Sequence, residues 1–328
     1  MHMADALISP AVAATMWGTT AGITGYSLKR LNFDVEENKL PLMGVMGAFV
    51  FAAQMVNFAI PGTGSSGHLG GGLLLAILLG PYAGFLTMAT ILFIQALFFA
   101  DGGLLAFGCN VFNLGFYTCF VAYPLYKRMI EKGKGIWSAS VIAAVIGLQL
   151  GAFSVVVETV LSGKTELPFT TFTLLMQPIH LAIGIVEGIV TAAVVTFIAK
   201  ARPELVNIHH SHHPKANRVL VALALVALFI GGIVSSFASS NPDGLEWSIA
   251  KTAGTEELEA STLIHETAAK WQEKLAPLPD YNFKNASEAG GLINIGTSFS
   301  GVFGTLLVLF FILTVGTMWK WFKFKRAR

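Results

Sequence analysis

The sequence predicts an all-α protein, a polytopic membrane helix bundle, and three observations carry that prediction. Of its 328 residues 54% are hydrophobic and only 12% charged, where a soluble domain carries roughly a quarter charged residues. Uncharged apolar runs near the roughly 20 residues needed to cross a bilayer recur along the whole chain. Most basic residues fall on one side once those runs are threaded through a membrane, as the enrichment of Lys and Arg in cytoplasmic loops requires.

Spans are expected at 11–28, 42–60, 69–80, 82–100, 109–126, 137–161, 172–199, 219–238 and 298–319, each from its length of uncharged apolar sequence. The third is short, opens on Gly70, Gly71 and Gly72, and is parted from the fourth by Pro81, so the pair reads as a kinked or partly re-entrant hairpin. With the amino terminus outside and the carboxyl terminus inside, 16 of the 21 basic residues lie on the cytoplasmic side. Four of the others sit in a long loop that carries little weight in this rule, which leaves Lys164 alone against the assignment. Because apolar runs continue to the end, the chain reads as a multi-pass protein without a cleavable leader.

About seven helices form one body over 1–203, a polar linker follows at 204–217, and two helices over 218–328 form an appended module. The outer loop of that module, 239–297, holds nine acidic residues against four lysines, five net negative charges that would gather cations. Within it Ile264, Ala268, Trp271 and Leu275 recur at helical spacing and predict one amphipathic helix stopped before Pro277 and Pro279. The two cysteines, Cys109 and Cys119, share one apolar run and read as small buried residues.

The chemistry is concentrated in Met1 and His2. An amine followed at once by histidine offers three nitrogens in a row, the terminal amine, the amide of residue 2 and the imidazole, which close two fused chelate rings on one metal ion. The bulky His2 predicts that Met1 is retained. A fourth nitrogen from His68, in the run Ser65-Ser66-Gly67-His68, completes a square-planar nitrogen set, a geometry that selects Ni(II) or Cu(II) over oxygen-preferring ions. The topology puts the loop from Pro61 to His68 on the same membrane face as the amino terminus.

Buried polar groups inside spans mark functional candidates. His180 and Glu187 fall two turns apart on one helix face; Glu158 ends the sixth span, Asp101 lies in the turn after the fourth, and Asn110 and Asn113 open the fifth. His180, Asp101, Glu158, Asn110 and Asn113 are candidates for orienting the histidines or for satisfying one another between helices. The glycines Gly62, Gly64 and Gly67 spell a dinucleotide fingerprint without the strand and βαβ unit it needs, so they are assigned to loop bending. Gly163-Lys164-Thr165 is similar to the end of a P-loop, but Glu158 stands where its first glycine belongs. His265-Glu266 is followed by Ala269 where a zincin helix needs histidine. His209, His210, His212 and His213 cluster in the linker, as a solvated loop or a receiver of released metal. Ala14, Gly18 and Gly22 give the first helix a small-residue stripe for a neighbouring helix.

The start Met1-His2-Met3-Ala4-Asp5-Ala6-Leu7-Ile8-Ser9-Pro10, the His68 segment and the stretch from His180 to Glu187 resemble the cobalt/nickel substrate-binding component of energy-coupling factor transporters. Asn241-Pro242-Asp243-Gly244-Leu245-Glu246 resembles the two-helix accessory subunit marked by a P-D-G-L-E motif, and together the two cover nearly the whole chain as a fusion. The resemblance implies metal ligands at Met1, His2 and His68, and uptake of Ni(II) or Co(II) across a bacterial or archaeal cytoplasmic membrane. It also implies no cofactor, no ATP hydrolysis by this chain, and as partners a transmembrane coupling subunit and cytoplasmic ATPase subunits. It supports a coupling or gating role for the module and no ligand role for Asp243 or Glu246. Ala4 departs from many relatives, which have a proline or another residue there; this bears on pocket detail and on cobalt against nickel. The alternatives are a self-sufficient secondary metal transporter, for which Glu187 is the one clear midplane carboxylate, and an intramembrane metalloenzyme, which a closed square of nitrogens does not serve.

Overall fold

The computed structural model describes residues 1–31, 39–201, 216–256, 258, 262–284 and 294–326. The linker histidines from His209 to His213 lie outside these residues. Helix α1 (Pro10–Arg30) starts where the Ser9 side chain accepts a hydrogen bond from Val12 N, with Pro10 in the first turn, and ends on Lys29 and Arg30. Its 21 residues rise about 32 Å, enough to cross the hydrocarbon. Helix α2 (Lys39–Gln54) follows, then strands β1 (Phe58–Ile60) and β2 (Ser65–Gly67), α3 (Gly72–Leu79) and α4 (Pro81–Phe98). A long helical run comes next: α5 (Phe107–Val111), a π-helical stretch Phe112–Ala122, and α6 (Tyr123–Glu131). Helices α7 (Ile136–Leu161) and α8 (Phe169–Ala201) complete the first body. The second holds α9 (Ala216–Gly232), α10 (Gly244–Ala253), α11 (Leu263–Leu275) and α12 (Ile295–Arg326).

Helices stand at all nine expected positions. Among the described residues five stretches are long and apolar enough to cross a membrane: Pro81–Phe98, Ile136–Leu161, Phe169–Ala201, Val219–Phe237 and Ile295–Trp321. Helix α3 has eight residues, all buried, and rises only about 12 Å, so it dips into the body and turns back through Gly80 at φ 80° into α4. The pair is broken at Gly80 and Pro81, the kinked form among the two expected of it.

One expectation is corrected. The span placed at 42–60 stops at Gln54, and Phe58–Ile60 instead pairs antiparallel with Ser65–Gly67, Phe58 opposite Gly67 and Ile60 opposite Ser65. A short apolar run serves a buried strand as readily as a helix, and Pro61 marks the end of this one. Helix α11 forms where its periodicity placed it, but Ile264, Trp271 and Leu275 stay exposed while His265 is buried. Polar anchors decide its docking: His265 Nε2 reaches Ile8 O at 2.8 Å, and Gln272 Nε2 donates to Ala96 O and Gly102 O at 3.0 and 2.7 Å.

Helices α7 and α8 pack closely, and α9 and α12 of the second body pack on α2 and on each other. Lipid tails are as apolar as leucine, so association inside a bilayer depends on close fit. A Cβ at Gly47 of α2 would sit 2.7 Å from the tip of the Ile312 side chain, so the glycine lets α12 approach closely here. Likewise a Cβ at Gly151 of α7 would come 2.6 Å from Asn113 O and 3.1 Å from the Met1 side chain. That glycine makes room for the start of the chain. Cys109 and Cys119 are free and buried, as their apolar surroundings required.

Candidate metal centre

The first residues fold inward. Met1 and Met3 are buried, and Asn110 clamps Met3 on both sides, accepting from Met3 N at 2.7 Å and donating to Met3 O at 3.1 Å. Gly103 N also donates to Met3 O, and Asp5 accepts from Ala106 N. The backbone at residues 3–5 is thus tied to the loop after α4, and the amine of Met1 is carried toward β2.

His68 arrives from the other side. The β-hairpin turns through Gly62 at φ 78° and Gly64 at φ 76°, a left-handed backbone that glycine adopts without strain. Beyond it, Glu187 of α8 accepts from Gly70 N at 2.7 Å and Gly71 N at 3.1 Å, while Gln54 Nε2 donates to Gly70 O. The carboxylate therefore fixes the backbone that leaves His68. His68 Nδ1 lies 3.1 Å from Leu69 O. A carbonyl only accepts, so Nδ1 carries the proton and Nε2 presents its lone pair. That lone pair faces the Met1 amine at 3.1 Å.

His2 stacks on His68, ring centroids 5.1 Å apart and 14° from parallel. Its Nδ1 lies 3.2 Å from Asp101 Oδ1, and its Nε2 is buried without a hydrogen-bond partner. Asp101 is in turn held by the Tyr281 hydroxyl, from the second body. Burial, reinforced by the positive terminal amine, pushes the pKa of both imidazoles down to about 3, so both are neutral metal-binding bases near pH 7.

One residue at the centre was missed by sequence reasoning. Asp243, at the start of α10, takes the Met1 amine on Oδ2 at 2.6 Å and stands 3.9 Å from His68 Nε2. Burial alone would raise its pKa, but the terminal amine and His68 outweigh it and hold the carboxyl well below its usual range.

The structure therefore brings Met1, His2 and His68 together, with Asp101 touching His2 and Asn110 holding the backbone between them. His180 shares a small space with Met1, His68 and Asp243, but bonds Met176 O through Nδ1. Asn113 and Glu158 bond each other at 2.8 Å and reach the centre only through Met3, whose sulfur lies 3.7 Å from Asn113 Nδ2. Among the described residues no group of three or more His, Cys, Asp or Glu side chains is placed to hold a metal ion. A nitrogen set here draws on two imidazoles and on backbone nitrogen. A cavity of about 670 Å³ opens beside it, lined by His2, His68, Asp101, Asp243 and Glu246 and by residues of both bodies.

Residues 2–205 match the family described as "Cobalt uptake substrate-specific transmembrane region", and residues 217–320 match the PDGLE domain. A protein of Archaeoglobus fulgidus, provisionally named a fused nickel transport protein, is 34% identical over 94% of this chain and 96% of its own length. A fused nickel transport protein of Rhodobacter capsulatus is 33% identical over 62% of this chain and 63% of its own. The crystal structure of a truncated transition metal transporter superposes with a TM-score of 0.56 at 31% identity, over 61% of this chain and 99% of that one.

Proposed function

Because the chain belongs to the cobalt-uptake substrate-specific transmembrane family, fused to a PDGLE domain, we propose that it is the substrate-capture subunit of an ATP-driven uptake system for Ni(II) or Co(II). It is a multi-pass membrane transport protein, and the proposal concerns how it holds its cargo and what drives it. The ion is bound by the Met1 amine, the amide and imidazole of His2 and the imidazole of His68. The observation that carries this reading is the 3.1 Å approach of Met1 N to His68 Nε2 beneath the stacked His2 ring. These atoms come from sequence positions 67 residues apart, and a fold that merely buried them would not aim a lone pair at an amine.

Four nitrogens closing on one ion favour Ni(II) on geometry. The His2 imidazole must leave Asp101 for its Nδ1 to close the chelate ring with its own amide. Asp101 and Tyr281 then act on the approach to the site. The amino terminus lies outside and the carboxyl terminus inside, which puts the acidic outer loop where it gathers cations from the medium. Residues 1–203 form the binding body and 218–328 the accessory module. The chain carries no nucleotide motif, and a coupling subunit with ATPases supplies the energy. Against a self-sufficient secondary transporter stands the use of Glu187, whose two carboxylate oxygens hold the Gly70 and Gly71 amides.

The test is a metal titration of the purified chain. Placing one residue ahead of Met1, or changing His2 to alanine, is expected to abolish tight Ni(II) binding with the fold intact. Unchanged affinity in both variants would refute the site.

A further inference from the structure

Asp243 reaches the metal centre from the second body, and three observations show that its place there is built. The backbone before it is pinned to the hairpin: Ser66 N donates to Pro242 O and Ser66 Oγ to Asn241 O, both at 2.8 Å. The helix after it is pinned too, with Trp247 Nε1 donating to Thr63 O at 3.0 Å. The two carboxylate oxygens are divided between two tasks. Oδ1 caps α10 by accepting from Leu245 N at 2.7 Å and Glu246 N at 2.9 Å, and Glu246 closes the box by accepting from Asp243 N. Oδ2 is left to face the Met1 amine and His68 Nε2.

We infer that Asp243 is the counter-charge of the metal centre, a positioning residue that the fused module supplies to the unloaded and to the loaded site alike. This rests on the nitrogen ligand set proposed above. Unloaded, with neutral imidazoles, the donor set carries the single positive charge of the Met1 ammonium. On loading, the ammonium and the His2 amide each release one proton to solvent, and their nitrogen lone pairs go to the ion. A divalent ion on one ionised amide again leaves one positive charge. The amine keeps two N–H bonds after donating its lone pair, so Oδ2 accepts from it in both states. A contact of similar strength in both states adds to affinity by holding the amine in place before the ion arrives, so that binding does not have to order the start of the chain, and Asp243 stays outside the coordination sphere.

The experiment is Ni(II) titration of the full chain carrying D243N, D243S, D243E or E246Q, with H68A as reference. Asparagine and serine cap helices about as well as aspartate, so D243N and D243S remove the charge and keep the cap; D243S serves if D243N is recovered poorly. Charge removal is expected to weaken binding roughly tenfold to a hundredfold, the usual effect of losing a partner of a metal ligand. D243E is expected to restore part of it, E246Q to leave affinity as in the parent, and the ligand-field band of the bound ion to keep its position throughout. Parent-like affinity in both charge-removed variants would overturn the inference. So would an equal loss in E246Q, or a displaced band, which would make the carboxylate a ligand. Undiminished binding by H68A would instead strike the ligand set itself.

Discussion

Two groups of buried polar residues occupy the first body, and they differ in what they leave unused. Inside the bilayer Glu187 spends both oxygens on the amides of Gly70 and Gly71, and Glu158 takes the Asn113 amide. Around the first two residues His68 Nε2 offers its lone pair to an amine, and His2 Nε2 has no hydrogen-bond partner. Burying an unpaired polar group costs stability, on the order of 1–3 kcal/mol. Glu187 is scaffold, both its oxygens satisfied by the fold itself, whereas Glu158 and Asn113 satisfy each other with one oxygen of each left without a partner. The imidazole lone pairs of His2 and His68 are held at a cost that the proposed cation would offset.

The comparison breaks first at His68. Changing it to alanine removes one of four proposed ligands, and Ni(II) affinity in an equilibrium titration is expected to fall by more than the roughly 100-fold typical of losing a supporting residue. A smaller loss would demote His68 to scaffold. Next comes Glu187→Gln, which leaves one acceptor for two amides. It is expected to weaken Ni(II) binding about tenfold and lower unfolding stability by about 1–3 kcal/mol. A stability loss with unchanged affinity would detach the inner group from the outer.

A third test uses pH. Both imidazoles have pKa values near 3 in the folded chain against an ordinary 6.5, so between these values the unfolded chain holds protons that the folded chain lacks. Stability of the metal-free protein therefore falls as pH drops through that window, by at most about 1.4 kcal/mol per pH unit for each histidine. The decline should be shallower in H68A, as followed by denaturant unfolding at several pH values; an identical slope would show that His68 titrates normally. The smallest effect is expected from His180→Ala. It borders the same space but bonds its own helix, so affinity should fall less than in H2A, and an equal loss would promote His180 to a ligand.

Much of this molecule was legible in the sequence because bilayer thickness and side-chain charge act locally. Nine apolar runs located the helices, and the three glycines with Pro81 marked α3 and α4 as a broken pair. The topology put Met1, His2 and His68 on one face, and the structure draws them into one centre. What escaped was set by contacts between distant segments. The hairpin at 58–67 exists because the glycines after Pro61 turn the chain back, so that Phe58–Ile60 finds its partner in Ser65–Gly67. Helix α11 docks by His265 and Gln272 because their carbonyl partners, Ile8, Ala96, and Gly102, lie in other parts of the chain. Asp243 meets Met1 across 242 residues. Its spacing to Glu246 announces a helix start, but only the packing of two bodies shows where the second carboxylate oxygen points.

The account stands most directly on the absorption spectrum of the purified chain titrated with Ni(II). A one-to-one complex with the ligand-field band of a square-planar nitrogen set, lost when His68 becomes alanine, is the result it requires. The weak, shifted bands of an octahedral oxygen-rich ion, or a square-planar spectrum indifferent to His68, would contradict it.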